Sequence, residues 1–390
     1  MAYGARVKQA REFCGLTQTE FARRLGVSQP AIAQIEAERT RPSDSVLRAI
    51  SFQTGFPLSF FRREALENFP LGSLVFRARK AMTAKERDQV YRHGQVVYEA
   101  VARLAAKVEM GPVCLPRLDH GEFESPEHAA TLTRAALGLS PDSPITNLTN
   151  AIERAGVFVL AIPLRSSNAI AYSLWAETRP VIVVFQGILG DRLRMNLAHE
   201  LGHLVMHQQL VGNEKERERE AYAFAGELLL PEQPARSELV APVTLSALAP
   251  LKPRWGMAIS ALVMRAARLE IITPRQQKYL FQQISQRGWR QREPANLDVT
   301  VEKPRAARKM AELLYGNPPD HRKMASDLSL PVSLVKNVIE ESATLADMPR
   351  VGPVDEPSPG PAEHLPNNVR DLAAHRDRQR LQAVEPLDSA

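Results

Sequence analysis

Apolar residues recur along this chain with two different periods, and the change of period outlines the fold. Near the start, Phe21, Ala22 and Leu25 fall on one helical face, and Ala31, Ile32 and Ile35 fall on another. Residues one turn apart lie over each other, so each set forms an apolar stripe. Gly26 stands between them, where a left-handed turn costs glycine little. Thr17 and Ser28 precede the two stripes as N-caps. FPLSFFRRE follows, and its Phe56, Phe60 and Phe61 are expected to cover the base of this helical module. A longer stripe, Val90, Val97, Val101, Leu104 and Val108, predicts a helix over about 80–110. It could pack on the rest of the chain or on a second copy. Gly111 to Ser125 is a Pro- and Gly-containing linker, and the helical runs HAATLTRAALGL and ITNLTNAIERAG come next.

The period then shortens. GVFVLAI (Gly156 to Ile162), AIAYSLW (Ala169 to Trp175) and PVIVVF (Pro180 to Phe185) are β-branched and aromatic runs divided by turn residues, and predict strands. AIAYSLW is expected at a sheet edge, where an extended peptide can add itself through backbone hydrogen bonds. Tyr172 within it could stabilise an oxyanion, although a packed strand tyrosine is the preferred reading. Two helical runs follow, NLAHELGHLVMH and EREREAYAFAGELLLP, the second closed by Pro231. Residues 240–285 are expected to be helical, with Trp255 to Ile271 as a core helix and Arg265 facing inward or toward a substrate. HRKMASDLSLPVSLVKNVIEES keeps apolar spacing at Ala325, Leu330 and Val335 around a proline turn. It reads as two packed helices with a faint helix-turn-helix look. From about residue 345, abundant Pro and few apolar residues predict a disordered tail. The fold class is therefore α+β and mostly helical, with a small mixed sheet packed on the NLAHELGHLVMH helix.

That helix carries chemistry. His199, Glu200 and His203 have the spacing H-E-x-x-H, which puts two imidazoles on one helical face with a carboxylate beside them. Neutral imidazole is a good zinc ligand, and a catalytic zinc site usually has three protein ligands and an open corner. The run after it offers Glu218 as the third ligand, with Glu220 as the alternative. His207, one turn past His203, is a further rival. A third histidine six residues beyond His203, as one peptidase class uses, is absent, since Gln209 stands there. Glu200 need not bind metal and suits proton transfer to and from an attacking water.

The helix pair near the start has the helix-turn-helix pattern. Gln29 and Gln34 should point outward from the second helix, where Gln can bond adenine through two hydrogen bonds in a major groove. Gln18, Arg39 and Arg41 can hold phosphates.

Two resemblances follow from these residues. LTQTEFARRLGVSQPAIAQIEAERTRPS resembles the Xre (Cro/phage-repressor) family over about residues 3–62. The resemblance implies DNA contact by Gln18, Ser28, Gln29 and Gln34, while Pro30 replaces a polar reader common in that family. LAHELGHLVMH, EREAYAFAGELLLP, LKPRWGMAISALVMRAARL and ISQRGWRQREP together resemble the ImmA/IrrE metallopeptidases over about residues 125–300. That resemblance implies a Glu ligand at Glu218, one zinc ion per chain and peptide hydrolysis with Glu200 as the proton carrier. Asn is common in that family where Tyr222 stands, and Thr where Asn196 stands. The implied organisation is a helix-turn-helix domain at 3–64, a helical linker at 65–125, a zincin-like peptidase domain at 126–290, a helical region at 291–344 and a tail at 345–390. The implied partners are a double-stranded DNA operator and a protein substrate, either an Xre-type repressor or the chain itself. A homodimer is expected, because such readers pair on two half-sites.

Composition fits this picture. The chain has 390 residues, 44% hydrophobic and 24% charged, which is ordinary for globular domains. Residues 1–107 hold 18 Lys plus Arg against 10 Asp plus Glu, a balance of +8, whereas the whole chain is +6, leaving −2 for the rest. Positive charge therefore gathers around the expected DNA reader, with Arg77, Arg79 and Lys80 contributing. Cys14 and Cys114 are too few for a disulfide framework and are expected to be buried small apolar residues in a reducing cytoplasm. No apolar run reaches membrane-spanning length, and the first residues lack the apolar segment of a secretory signal. No membrane contact is expected.

Overall fold

The computed structural model describes residues 4–65, 69–74, 82–118, 122–164, 171–207 and 213–340. Arg77, Arg79, Lys80, Gln209 and the tail from residue 345 lie outside the described residues.

Five helices open the chain: α1 (Gly4–Phe13), α2 (Gln18–Leu25), α3 (Gln29–Glu36), α4 (Asp44–Thr54) and α5 (Leu58–Phe61). Their ends follow local chemistry. Thr17 caps α2 in a reciprocal box with Glu20, and Ser28 accepts from the Ala31 N–H at the start of α3. Gly26 takes φ 68, which lets its N–H reach back to the α2 carbonyls and turns the chain into α3. Phe21 and Ile32 fill the centre, and Phe56, Phe60 and Phe61 close the module from below.

The helix α6 (Ala84–Ala105) begins at a second reciprocal cap, Thr83 with Glu86. Val97, Val101 and Leu104 are buried, as the stripe required, but so are His93, Gln95 and Glu99 on the remaining surface. That second face is taken by α1. Arg6 Nη1 donates to Glu99 Oε2 at 2.6 Å, Gln9 donates to Gln95 at 3.0 Å, and Arg92 Nε donates to Glu12 at 2.7 Å. His93 stacks on Phe13 with ring centroids 3.7 Å apart. The apolar stripe is thus covered within one chain, by β1 and the carboxy-terminal helices.

Two helices, α7 (Pro126–Ala136) and α8 (Leu148–Arg154), lead to a sheet of β1 (Phe158–Ile162), β2 (Ala171–Ala176) and β3 (Arg179–Phe185). The order is β1-β3-β2, with β1 parallel and β2 antiparallel to β3. β2 is therefore an edge strand. Both faces are buried: Tyr172, Leu174, Val181 and Val183 meet the α6 side, while Ala171, Ile182 and Val184 meet the other. Tyr172 is fully buried, and a Cβ at Gly94 would lie 1.9 Å from its hydroxyl. Glycine is required there so that the strand can approach α6. Tyr172 is a packing residue, which removes the oxyanion option.

Below the second face lie α9 (Gly190–Met206) and α10 (Glu214–Leu229). Leu197, Leu201, Leu204 and Val205 are buried under the sheet, at roughly 1.5–3 kcal/mol each. Gly202 lets the Phe224 ring approach α9, holding the two helices together. The chain continues through α11 (Glu232–Glu238), α12 (Leu245–Leu248), α13 (Leu251–Trp255), α14 (Ile259–Arg268) and α15 (Pro274–Gln286). The expected single helix from Trp255 to Ile271 is instead broken, because Gly256 takes φ 64 and ends α13. Arg265 points inward, pairing with Glu227 and donating from Nε to the Leu230 carbonyl.

Three more helices, α16 (Ala306–Tyr315), α17 (His321–Leu328) and α18 (Val332–Glu340), pack together and against α6. Ser329 at φ 57 joins α17 to α18 much as Gly26 joins α2 to α3. Val332 and Pro331, however, stand where the first pair has Gln29 and the capping Ser28. The expectation for cysteine is corrected. Cys14 is only half-buried and Cys114 is exposed, because Cys114 lies in the extended stretch before α7 rather than in a core. Among the described residues no helix is long and apolar enough to cross a membrane.

Candidate metal centre and nucleic-acid interface

The middle of α9 and the first turns of α10 bring three donors together. His199 Nε2 lies 3.1 Å from His203 Nε2 and 3.6 Å from Glu218 Oε2, and His203 Nε2 lies 3.2 Å from Glu218 Oε1. Zinc held tetrahedrally by bonds of about 2.0–2.1 Å needs donors about 3.3 Å apart. The triangle has that size, and two imidazoles with one carboxylate form a donor set suited to zinc. Burial pushes the Glu218 carboxyl up, but while the two imidazoles carry protons toward it their hydrogen bonds and charge outweigh burial and hold Glu218 well below the usual carboxylate range. It is therefore an anion ready to ligate.

The two rivals occupy a different place. His207 Nδ1 lies 2.9 Å from His203 Nδ1, and His207 Nε2 lies 2.8 Å from Glu220 Oε2. A carboxylate can only accept, so the His207 Nε2 proton goes to Glu220 and Nδ1 of the same neutral ring is an acceptor. His203 then donates from Nδ1, and its Nε2 lone pair faces His199 and Glu218. Burial, with His203 nearby, pushes the His207 pKa down to about 4, in keeping with a neutral ring. Glu220 and His207 are thus placed to fix the tautomer of His203 rather than to join the triangle of donors. Tyr222 is 57% exposed and rests on the His199 ring with centroids 4.3 Å apart.

Glu200 is fully buried. Its Oε2 accepts from Ser173 Oγ at 2.7 Å and from Ser73 Oγ at 2.9 Å. Neither serine was a candidate from the sequence. Ser173 could have been noticed as a polar residue in an otherwise apolar strand, AYSLW. Ser73 lies 127 residues from Glu200 and carries no local signal.

The helix pair α2–α3 holds the other candidate set. Gln29 Nε2 donates to Gln18 Oε1 at 2.8 Å, Gln18 Nε2 donates to Glu36 at 2.8 Å, and Arg11 holds Glu36 from beneath. Gln18 and Gln29 are therefore half-buried and fixed to one another, not simply extended outward. Ser28 uses its hydroxyl as the α3 cap. Gln34 is exposed and accepts from Thr40 Oγ1 at 3.3 Å, and Arg39 and Arg41 are exposed just beyond α3. All six share the region of α2, α3 and the loop after it.

Residues 7–61 match the family model described as Helix-turn-helix. Residues 152–267 match the model described as IrrE N-terminal-like domain, a peptidase family. No curated protein matches the chain. The second match spans the sheet, α9 and α10, and so contains His199, Glu200, His203 and Glu218. The chain thus joins a helix-turn-helix region at residues 7–61, matching the Xre-type resemblance, to a metallopeptidase-like region at residues 152–267, matching the ImmA/IrrE resemblance.

Proposed function

We propose that this protein is a DNA-binding transcriptional regulator with a zinc-dependent endopeptidase centre. It would cut a repressor-type protein, or its own chain, to change expression of stress or mobile-element genes. The observation that carries the peptidase reading is the triangle of His199, His203 and Glu218 with Glu200 adjacent in α9. These three residues would hold Zn2+, which when bound supplies a Lewis acid for the scissile carbonyl and for water. Glu200 takes the proton from the attacking water and delivers it to the leaving amine. Glu220 and His207 keep His203 in the ligating tautomer. Ser173 orients the Glu200 carboxylate, and the β2 backbone aligns an extended peptide beside it.

The regulator half would dock α3 in a major groove of duplex DNA, Gln29 and Gln34 reading bases while Gln18, Ser28, Arg39 and Arg41 meet the backbone or adjacent edges. A homodimer on paired half-sites and a cytoplasmic location accord with this reading. The complete enclosure of Glu200 favours a second reading, in which the peptidase-like domain senses a ligand, metal or partner without cutting.

The test is Glu200→Gln. This variant should keep about one metal ion per chain, because Glu200 is not a ligand. It should also keep operator affinity and lose cleavage of a co-expressed repressor-type protein. Equal cleavage by the wild type and the variant would remove the peptidase reading.

A further inference from the structure

The outer edge of β2 already has an occupant. Ser73 donates its backbone N–H to the Ser173 carbonyl at 2.8 Å, and the Ser173 N–H donates to Ser73 Oγ at 2.8 Å. The same Oγ donates to Glu200 Oε2. A strand adding to this edge would need those two backbone groups of Ser173. The segment is anchored at both ends. Phe69 and Leu74 are buried, the Phe69 ring lies 5.1 Å from Tyr98, and the Tyr91 hydroxyl donates to the Phe69 carbonyl at 2.6 Å. Between the anchors, Gly72 takes φ 55 and lies against β2. A Cβ there would be 2.1 Å from the Ser173 oxygen and 2.6 Å from Leu174 Cβ.

We propose that the β2 edge is a peptide-docking surface whose resident occupant is this chain's own segment Phe69–Leu74, which an incoming strand must displace to reach Glu200. The inference rests on the peptidase reading and names what fills its cleft. Ser73 combines two roles. It satisfies the exposed backbone of an edge strand, which otherwise invites pairing with other chains. It also places a hydroxyl on the carboxylate that the reaction needs as a proton acceptor. The anchoring tyrosines Tyr91 and Tyr98 belong to α6, the helix that grips α1 of the DNA reader. The occupant of the cleft and the DNA reader are therefore fastened to one rigid element.

Gly72→Ala is the releasing variant, since it expels the segment without substituting Glu200, Ser173 or a metal ligand. Ser73→Ala is the milder second variant. Hydrogen–deuterium exchange of the full chain should show a faster Ser173 amide in both, with the interior amides of α9 unchanged as the folding control. A fluorescein-labelled Leu-Gly hydroxamate should bind zinc-loaded Gly72→Ala at least about tenfold more tightly than wild type, because an occupant present nine-tenths of the time lowers apparent affinity by that factor. An unchanged Ser173 amide in Gly72→Ala would overturn the proposal. So would faster exchange with equal hydroxamate affinity in all three proteins. Tight hydroxamate binding without cleavage of a co-expressed repressor-type protein, or of the chain itself, by Gly72→Ala would instead sink the peptidase reading and leave the occupied edge standing.

Discussion

In α2–α3 the polar side chains assigned to recognition lie on the face turned away from the core, whereas in α9–α10 they lie on the face turned into it. The first pair is short, its helices of eight residues each, and its polar chain runs from half-buried Gln29 and Gln18 inward to Glu36 and buried Arg11. The second pair is long, and His199 and Glu200 are covered by the sheet, α10 and the segment around Ser73. The difference is the one that the two proposed tasks require. Base edges must be reached from outside, so a reader needs side chains at the solvent boundary. A proton carrier and metal ligands gain from exclusion of water, which strengthens every electrostatic contact among them. The cost is that each buried polar atom must find a partner, and at Glu200 that need is met by two serines drawn from distant parts of the chain, Ser73 and Ser173.

The sharpest way to break the contrast is His203→Ala. If the buried triangle is a metal site, the variant should retain close to none of the expected ion, against about one per chain in the wild type, by elemental analysis. Retention of a full equivalent would mean the three donors are not the ligands. His207→Ala tests the support behind the triangle. Loss of a residue that orients a ligand lowers metal affinity about 10–100-fold, so a chelator competition titration should show that range while the ligand count stays intact. No change would return His207 and Glu220 to simple packing. On the surface pair the expected effect is smaller. Gln29→Ala should weaken the operator complex by about 1 kcal/mol, the low end for a bidentate base contact, since Gln29 already spends one hydrogen bond on Gln18. Its thermal midpoint should stay within a degree or two of wild type, as expected for a surface change near ±0.5 kcal/mol. A large fall in the midpoint would show that Gln29 is structural and erase the distinction between the pairs.

How much of each pair was legible follows the same division. Thr17, Gly26 and Ser28 announce the start, turn and restart of α2–α3 because caps and left-handed turns are local, satisfied within four residues. The spacing of His199 and His203 is equally local, and it places both rings on one face before any tertiary contact forms. The choice among Glu218, Glu220 and His207 was not local. Glu218 and Glu220 both reach the end of α9, Glu218 at His199 and His203 and Glu220 at His207, and the packing of the two helices, with Phe224 against Gly202, sets which histidine each one meets. Nor could periodicity show that α6 is wrapped on both faces, since the partners of Gln95 and Glu99 are Gln9 and Arg6, some ninety residues earlier.

The sequence by itself determined the helix caps, the strand runs, the H-E-x-x-H face and the concentration of positive charge in the first 107 residues, because each depends on bonds or spacings within a few residues. Tertiary structure decided that Glu218, already preferred on sequence, lies with His199 and His203 where its alternative Glu220 does not, that Glu220 and His207 stand behind them, and that Ser73 sits on Glu200. Those outcomes depend on which way α10 is rolled against α9 and on where a distant loop meets a strand edge. Such facts are fixed by packing over long chain separations, and no local pattern encodes them.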